Sequence, residues 1–443
     1  MKRIFGLNFA FCLATALMAV WFAAIPSQLT AQTQGNNSVY GTGVTFSTAY
    51  IDASAVAGTS SATNICAKIN AALGLIHSTP NTAVIDARGI SSLTCPSGDT
   101  PWTYGGTTYT SPATILLPAG TITISNTWVL PNQTRIVGEG SGSVVSGTAV
   151  TTIKTSSALN PMIQMGISTG ALACPTAGCT GISVEDLVLN GEGAVTVGII
   201  NTNAQEQSYI RRVAFYQIPG TGFRVGSGAQ NSGPYTDITF DAGTSTTSST
   251  ICGGISGVST RGIHGLTCTN TGTVPGSGAA VLLAGSNNSL ENVTVQGFYD
   301  GVKIGSNGTA QGNIVLNVAN GTPSVSNAVI HIVTTNPVSD LTIMGVNKGS
   351  ASYSIEDDIT AGTPLLADKT VGMYAIGESV TVTNATKAYS RFTTSPSVPT
   401  WIRGNTTPST PCVIGSLYSN SAGTGPNTDF YVCTATTTWT GID

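Results

Sequence analysis

Charged side chains are scarce in these 443 residues, 16 Lys and Arg against 20 Asp and Glu, so a gathering of them is a candidate for chemistry. One stretch gathers Arg211, Arg212, Arg224, Asp237, Asp241, Arg261, His264, Asp300 and Lys303. A carboxylate within reach of histidine or arginine can run general acid–base chemistry, and Asp237, Asp241, Arg261 and His264 are the catalytic candidates. Arg211, Arg224, Asp300 and Lys303 are the binding candidates, because arginine and lysine hold acidic groups through charge-assisted hydrogen bonds. Asp241 is the strongest single acid: it follows an apolar strand and leads into a long insertion, 242–262, of the kind that lies on the binding face of a repeat protein. The plain alternative is a solvated charged surface. The chain contains no GxSxG elbow, HExxH, Walker loop or Rossmann fingerprint.

These residues are carried on a repeat. Ser183–Asn190, SVEDLVLN, alternates polar and apolar residues, and its echoes begin at Arg212, Asp237, Gly265, Asn292, Asn313 and Asp340. Arg135 and Pro161 extend the series backward, and Thr114 adds one more member. A second apolar strand recurs within each unit, as in Gly222-Phe223-Arg224-Val225 and Gly301-Val302-Lys303-Ile304. A strand-rich repeat of this length with Gly/Asn turns predicts a parallel β-solenoid. In that setting Asp186, Asp237 and Asp340 read first as turn residues that bond nearby backbone groups.

Composition agrees. Only 8% of the chain is charged while 41% is hydrophobic, which suits a thin apolar stack covered by small hydroxyl and amide side chains. A net charge of −4 supplies no basic field for nucleic acid and no polybasic patch for an anionic membrane. Lys2 and Arg3 followed by the apolar run Phe9–Ala24 read as an export signal ending near Ala31. With Cys12 inside that run, eight cysteines remain, an even number that predicts disulfides in an exported chain. Nearest neighbours give Cys66–Cys95, Cys174–Cys179, Cys252–Cys268 and Cys412–Cys433. Residues 61–77 carry Ile65, Ile69, Leu73 and Ile76 at helical spacing, with Thr63 or Asn64 as N-cap. An open solenoid end needs such a cover.

That helix, the strand Val84–Ala87, LPAGTITIS and the turn LPNQTRIVGEG together resemble the start of the pectate-lyase-like family of β-helices. The resemblance covers residues 61–142 specifically, and the later rungs by spacing. It implies an all-β chain: a right-handed parallel β-helix of about ten rungs, with an N-terminal capping helix and a small C-terminal β module. It also implies a polysaccharide as partner and lyase or hydrolase chemistry. No cofactor is marked by the residues; Ca²⁺ enters only with lyase chemistry, in which acidic clusters hold it against uronate. Gly262-Ile263-His264-Gly265-Leu266 is similar to the GHG motif of polygalacturonases, but the NTD, paired DD and RIK motifs of those hydrolases are missing, and no run of Ca²⁺-binding Asp replaces them. A non-catalytic surface fibre, adhesin or glycan-binding β-helix is therefore the rival to a polysaccharide-degrading enzyme.

The organisation expected is a signal peptide at 1–31, an extended lead-in at 32–60, the β-helix with its caps at 61–390, a Pro/Thr-rich linker at 391–411 and a stapled hairpin module at 412–443. The last resembles GxLYxN…LYVCT…TW modules at the ends of secreted and tail-fibre proteins, which suggests a homotrimer. A secreted or cell-surface protein, with no membrane partner once the signal is cleaved, is the expected location.

Overall fold

The computed structural model describes residues 49–358 apart from 78–81, 142–149, 156, 176–177, 273–277, 334–335 and 337. Beyond 358 it describes 370–371, 374–376, 380–382, 401–404 and most of 407–442. The expected leader, most of the lead-in and most of the expected linker lie outside these residues.

The repeat folds as a parallel solenoid. One sheet has fourteen strands and a second has ten, and in each the neighbours come from successive turns of the chain. A short third sheet of four strands lines one corner of the later turns. Every described pairing in these three sheets is parallel, from Ala49–Asp52 against Ala83–Asp86 onward. Strand alternation explains the core. Ile85, Ile115, Ile136, Val184 and Ile210 stand in register on the first sheet. Ile263, Leu290, Val315 and Ile343 continue the ladder, and all nine are fully buried. Tyr235 interrupts the aliphatic ladder between Ile210 and Ile263, and its hydroxyl is satisfied inside the core by Ser232 Oγ at 2.7 Å and Asn201 Nδ2 at 3.0 Å. Burial raises that phenol to about 12, against hydrogen bonds that act the other way.

The lead residues of the repeat are kinks. Asp186, Arg212, Asp237 and Asn292 have φ between 50° and 56°, and Gly265 occupies the same column with φ 72°. Asp, Asn and Gly tolerate this left-handed region best. A Cβ on Gly265 would also stand 3.1 Å from Asp237 Oδ1. The kink changes the inward parity, so Val184 and Leu187 both face the core. Three repeat members sit differently from the sequence reading. In the later turns the kink falls at Asn317 and Gly345, because Val318 pairs with Val293 and Val346 with Val318. Asn313 and Asp340 belong to the turn before the strand. The member at Pro161 leads into Ile163–Met165, which pairs with Trp128–Leu130 and Val197–Asn201 in the second sheet.

At the N-terminal end the helix Ile65–Ile76 buries Ile65, Ile69, Leu73 and Ile76 in the same core. Asn64 caps it, accepting from Ala67 N at 3.0 Å, and Cys66–Cys95 ties it to the following loop. The first sheet starts earlier than expected, at Ala49, and both main sheets outlast the fading of the sequence rhythm near 346, through Tyr353–Asp358, Tyr374–Ile376 and Val380–Val382.

The C-terminal residues form a separate sheet. Leu417–Asn420 and Phe430–Ala435 are antiparallel, Thr438–Gly441 follows, and Trp401–Gly404 adds a parallel edge from within the expected linker. Tyr418 and Tyr431 are buried against each other and Trp439, with centroids 6.1 and 5.7 Å apart, so these aromatics are the module's own core. The four disulfides join the nearest-neighbour cysteine pairs.

Candidate functional site

Register decides which charged residues meet. On the outer face of the first sheet, Glu185 stands opposite Arg211, and Ser183 opposite both Arg135 and Tyr209. Glu185 is 1% exposed, although it lies on the side of the sheet away from the core. Its carboxylate accepts from Arg135 Nη2 at 2.7 Å, Ser183 Oγ at 2.8 Å and Tyr209 OH at 2.9 Å, and from Arg211 Nη2. Burial alone would raise this carboxyl. The hydrogen bonds from Arg135, Ser183 and Tyr209 more than reverse that, holding it below the ordinary glutamate value. The arginines keep an open side: Arg135 and Arg211 are 44% and 41% exposed, and Arg211 also lies 5.9 Å from the centre of the Tyr209 ring. One residue along, the kink positions pair in the same way, Arg212 Nη2 donating to Asp186 Oδ2 at 2.6 Å.

Two further turns continue this face. Asp237 occupies the kink column after Arg212. His264, on the next strand, faces Glu291 at 3.2 Å through Nδ1, while Nε2 lies 3.0 Å from Arg261 O and 3.3 Å from Ser289 Oγ. Toward the N-terminus, Arg88 holds Asp86 at 2.8 Å and keeps its carboxyl down to about 2. A cleft of about 410 Å³, lined by Arg88, Leu116, Val137, Glu139 and Asp186 among others, opens beside these turns.

The sequence candidates therefore divide. Arg211, Asp237, Arg261 and His264 share the first-sheet side. Asp241 ends its strand in a local turn, its Oδ1 accepting from Gly243 N at 2.8 Å. Arg224 stands on the second sheet, three turns from Lys303 by register. Asp300 and Lys303 belong to a different cluster on that sheet. Fully buried Asp300 accepts from Lys303 Nζ at 3.0 Å, Asn327 Nδ2 at 2.9 Å and His331 Nδ1 at 2.9 Å. Asn327 Nδ2 also donates to Glu356 Oε2 at 2.6 Å. Asp300, His331 and Glu356 bring ligand-type atoms within 4.8 Å of one another, but the carboxylate oxygens already accept from Lys303, Asn327 and His331. The cluster is thus closed by its own donors rather than shaped around a cation.

Sequence reasoning missed Glu185, Arg135 and Tyr209 on the first face, and Asn327, His331 and Glu356 on the second. A signal existed for part of this. Glu185-Asp186 precedes Arg211-Arg212 by 26 residues, one turn of the repeat, so each acid faces the arginine above it.

Fold and site together define a parallel β-helix with an arginine-bearing outer face. No protein-family model matches the chain, and no curated protein sequence matches it. Among solved structures, the chain is similar to the Azotobacter vinelandii mannuronan C-5 epimerase AlgE6 A-module, at 14% identity and a TM-score of 0.21, over 61% of this chain and 87% of that one. Among the described residues no helix is long and apolar enough to cross a membrane.

Proposed function

We propose that the chain is an exported β-helix that binds an acidic polysaccharide along the outer face of its first sheet. One observation carries this reading: Arg135 and Arg211 are both anchored from behind by the buried Glu185 carboxylate while their outer edges stay open to solvent. An arginine held in this way has already lost much of its rotamer freedom, so less is lost when it forks onto a uronate carboxylate. Turns stack at about 4.8 Å, so the Arg135 and Arg211 backbones lie two turns, roughly 10 Å, apart along the rod, while their guanidinium groups converge on the one Glu185 carboxylate. A linear polyanion lying along the rod would meet one and then the other, with the Tyr209 ring between them as an apolar contact for a sugar.

A catalytic version of the same reading keeps His264 as an acid–base group paired with Glu291, with Asp237 on the neighbouring turn. The observation favouring it is the His264–Glu291 contact on a face that remains a third exposed. The two versions part on product formation. In affinity electrophoresis, polygalacturonate and alginate are expected to retard the protein and a neutral dextran is not, with the retardation lost at 1 M salt, where the Debye length falls to about 3 Å. Equal retardation by the neutral polymer, or none by either acidic one, would refute the proposal. Release of unsaturated uronate or reducing ends from a retarding polymer would add catalysis to binding.

A further inference from the structure

We propose that Asp300, His331 and Glu356 form a pH-sensitive clasp that closes three successive second-sheet strands when His331 is protonated and loosens the last of them when it is not. The imidazole lies between two carboxylates on neighbouring turns. Nδ1 is 2.9 Å from Asp300 Oδ2 and Nε2 is 3.7 Å from Glu356 Oε2. Nδ1 stands at hydrogen-bonding distance from one carboxylate and Nε2 at ion-pair distance from the other, a setting that suits the positively charged imidazolium better than the neutral ring.

Charge counting leads to the same state. Among the described residues, the charged groups that act on the ring are Asp300 on the strand Asp300–Ile304, Lys303 on that strand, and Glu356 on Tyr353–Asp358. Tyr299 lies near the same two carboxylates, with Tyr353 beside it. Asp357 stands in the core-facing column opposite Ile332, away from the ring. With His331 protonated, two cations meet two anions, and Asn327 bridges the two carboxylates. With His331 neutral, the cluster carries one uncompensated negative charge at sites that are 0% to 15% exposed, and a nitrogen lone pair faces a carboxylate. The ring keeps its proton on the shorter contact, to Asp300. The pairing with Glu356 is therefore the one that breaks, and the strand released is Tyr353–Asp358.

The direction of the titration supports this. Burial lowers the imidazole, but the hydrogen bond and charge of Asp300, with Glu356 behind it, outweigh burial and raise it. A raised value means that the stabilisation is complete below the ordinary histidine value of 6.5 and is lost as pH rises through the folded value. The clasp thus holds at the ordinary histidine value and opens as pH rises through the higher folded one; among the described residues, Val380–Val382 is the next strand of this sheet.

Hydrogen exchange of the full-length protein at pH 6 and pH 9, corrected for intrinsic rates, reads this directly. Protection of 353–358 is expected to fall by about tenfold for each unit by which the imidazole is raised, while 300–304 stays protected. His331→Gln should show the low protection at both pH values. Unchanged protection of 353–358 in the wild type would overturn the clasp. So would protection at pH 9 restored by Zn²⁺ or Ca²⁺ through His331, which would make the cluster a metal site. Should the variant fail to fold, ¹⁵N spectra of the wild type decide. The chain has 3 His, and one imidazole is expected to titrate above 6.5 with both nitrogens protonated below its midpoint. Three midpoints at or below 6.5 would refute the proposal.

Discussion

Glu185→Ala is expected to destabilise the protein by about 2–4 kcal/mol and, in the molecules that remain folded, to weaken polyanion binding by less than the loss of both arginines does, because Arg135 and Arg211 keep their charge but lose the anchor that orients them. Removing one partner of a buried charge pair typically costs about 3–5 kcal/mol, because the other charge is left uncompensated. Here the arginines remain partly in water, which lowers the figure, while Ser183 and Tyr209 also lose their acceptor. Glu185→Gln keeps the shape and one acceptor oxygen, so about half the loss is expected. Chemical denaturation midpoints at neutral pH measure both. The wild type should also lose this contribution in acid. Glu185 is held below 4.5, so its stabilisation is complete above 4.5 and disappears as pH falls through the lower folded value. A variant within about 0.5 kcal/mol of wild type, the range of ordinary surface changes, would mean that the carboxylate does not organise this face.

Phe223→Ala is expected to cost about 3–5 kcal/mol, the usual loss for a fully buried aromatic, without changing polymer preference. Phe223 lies parallel to Phe215 at 6.2 Å and to Tyr235 at 5.8 Å, so its ring joins neighbouring turns of both sheets. On its far side a Cβ added to Gly253 would come within 2.2 Å of the ring. The ring therefore rests on the bare backbone of the next turn, and Gly253 has no side chain with which to fill the space it leaves. Phe223→Leu should cost well under half as much. The comparison separates core from site: both changes weaken the rod, but only Glu185→Ala should alter binding. If Phe223→Ala removed binding at a temperature where the protein is folded, the face would depend on the core more closely than register and hydrogen bonding indicate.

Much of the fold was legible because the solenoid repeats one local problem. Each turn needs a residue that accepts positive φ, and Asp186, Asp237, Asn292 and Gly265 announce that position by type. The register failed where type was ambiguous. Asn313-Ile-Val-Leu-Asn317-Val offers two asparagines four residues apart, and either can head an apolar strand; only pairing with Leu290 and Val293 chooses Asn317 for the kink. The site was legible in part. Arg211 and His264, which the local density of charge singles out, lie on the candidate face. Glu185 is not singled out, because it stands beside Asp186 and looks identical to it. Their difference arises from the kink between Glu185 and Leu187, which leaves one carboxylate buried beneath two arginines and the other at the rim. Arg135 lies 50 residues from Glu185, across a turn that sequence spacing alone misplaced. Of the His331 cluster, Asp300 and Lys303 lie within the stretch where charge is densest, whereas Asn327, His331 and Glu356 lie beyond it, although they also recur at turn spacing.

The most direct measurement of the central claim is titration calorimetry of a uronate oligomer against three proteins: wild type, Arg135→Ala/Arg211→Ala and Lys303→Ala. Hydrogen bonds to charged groups contribute about 1.5–3 kcal/mol each when buried; at these half-exposed positions about 1 kcal/mol each is expected, a roughly 30-fold rise in Kd for the double variant. Lys303→Ala, on the other sheet, should bind as wild type does. A double variant that binds as tightly as wild type, or a loss confined to Lys303→Ala, would contradict the assignment of the polymer to the first-sheet face.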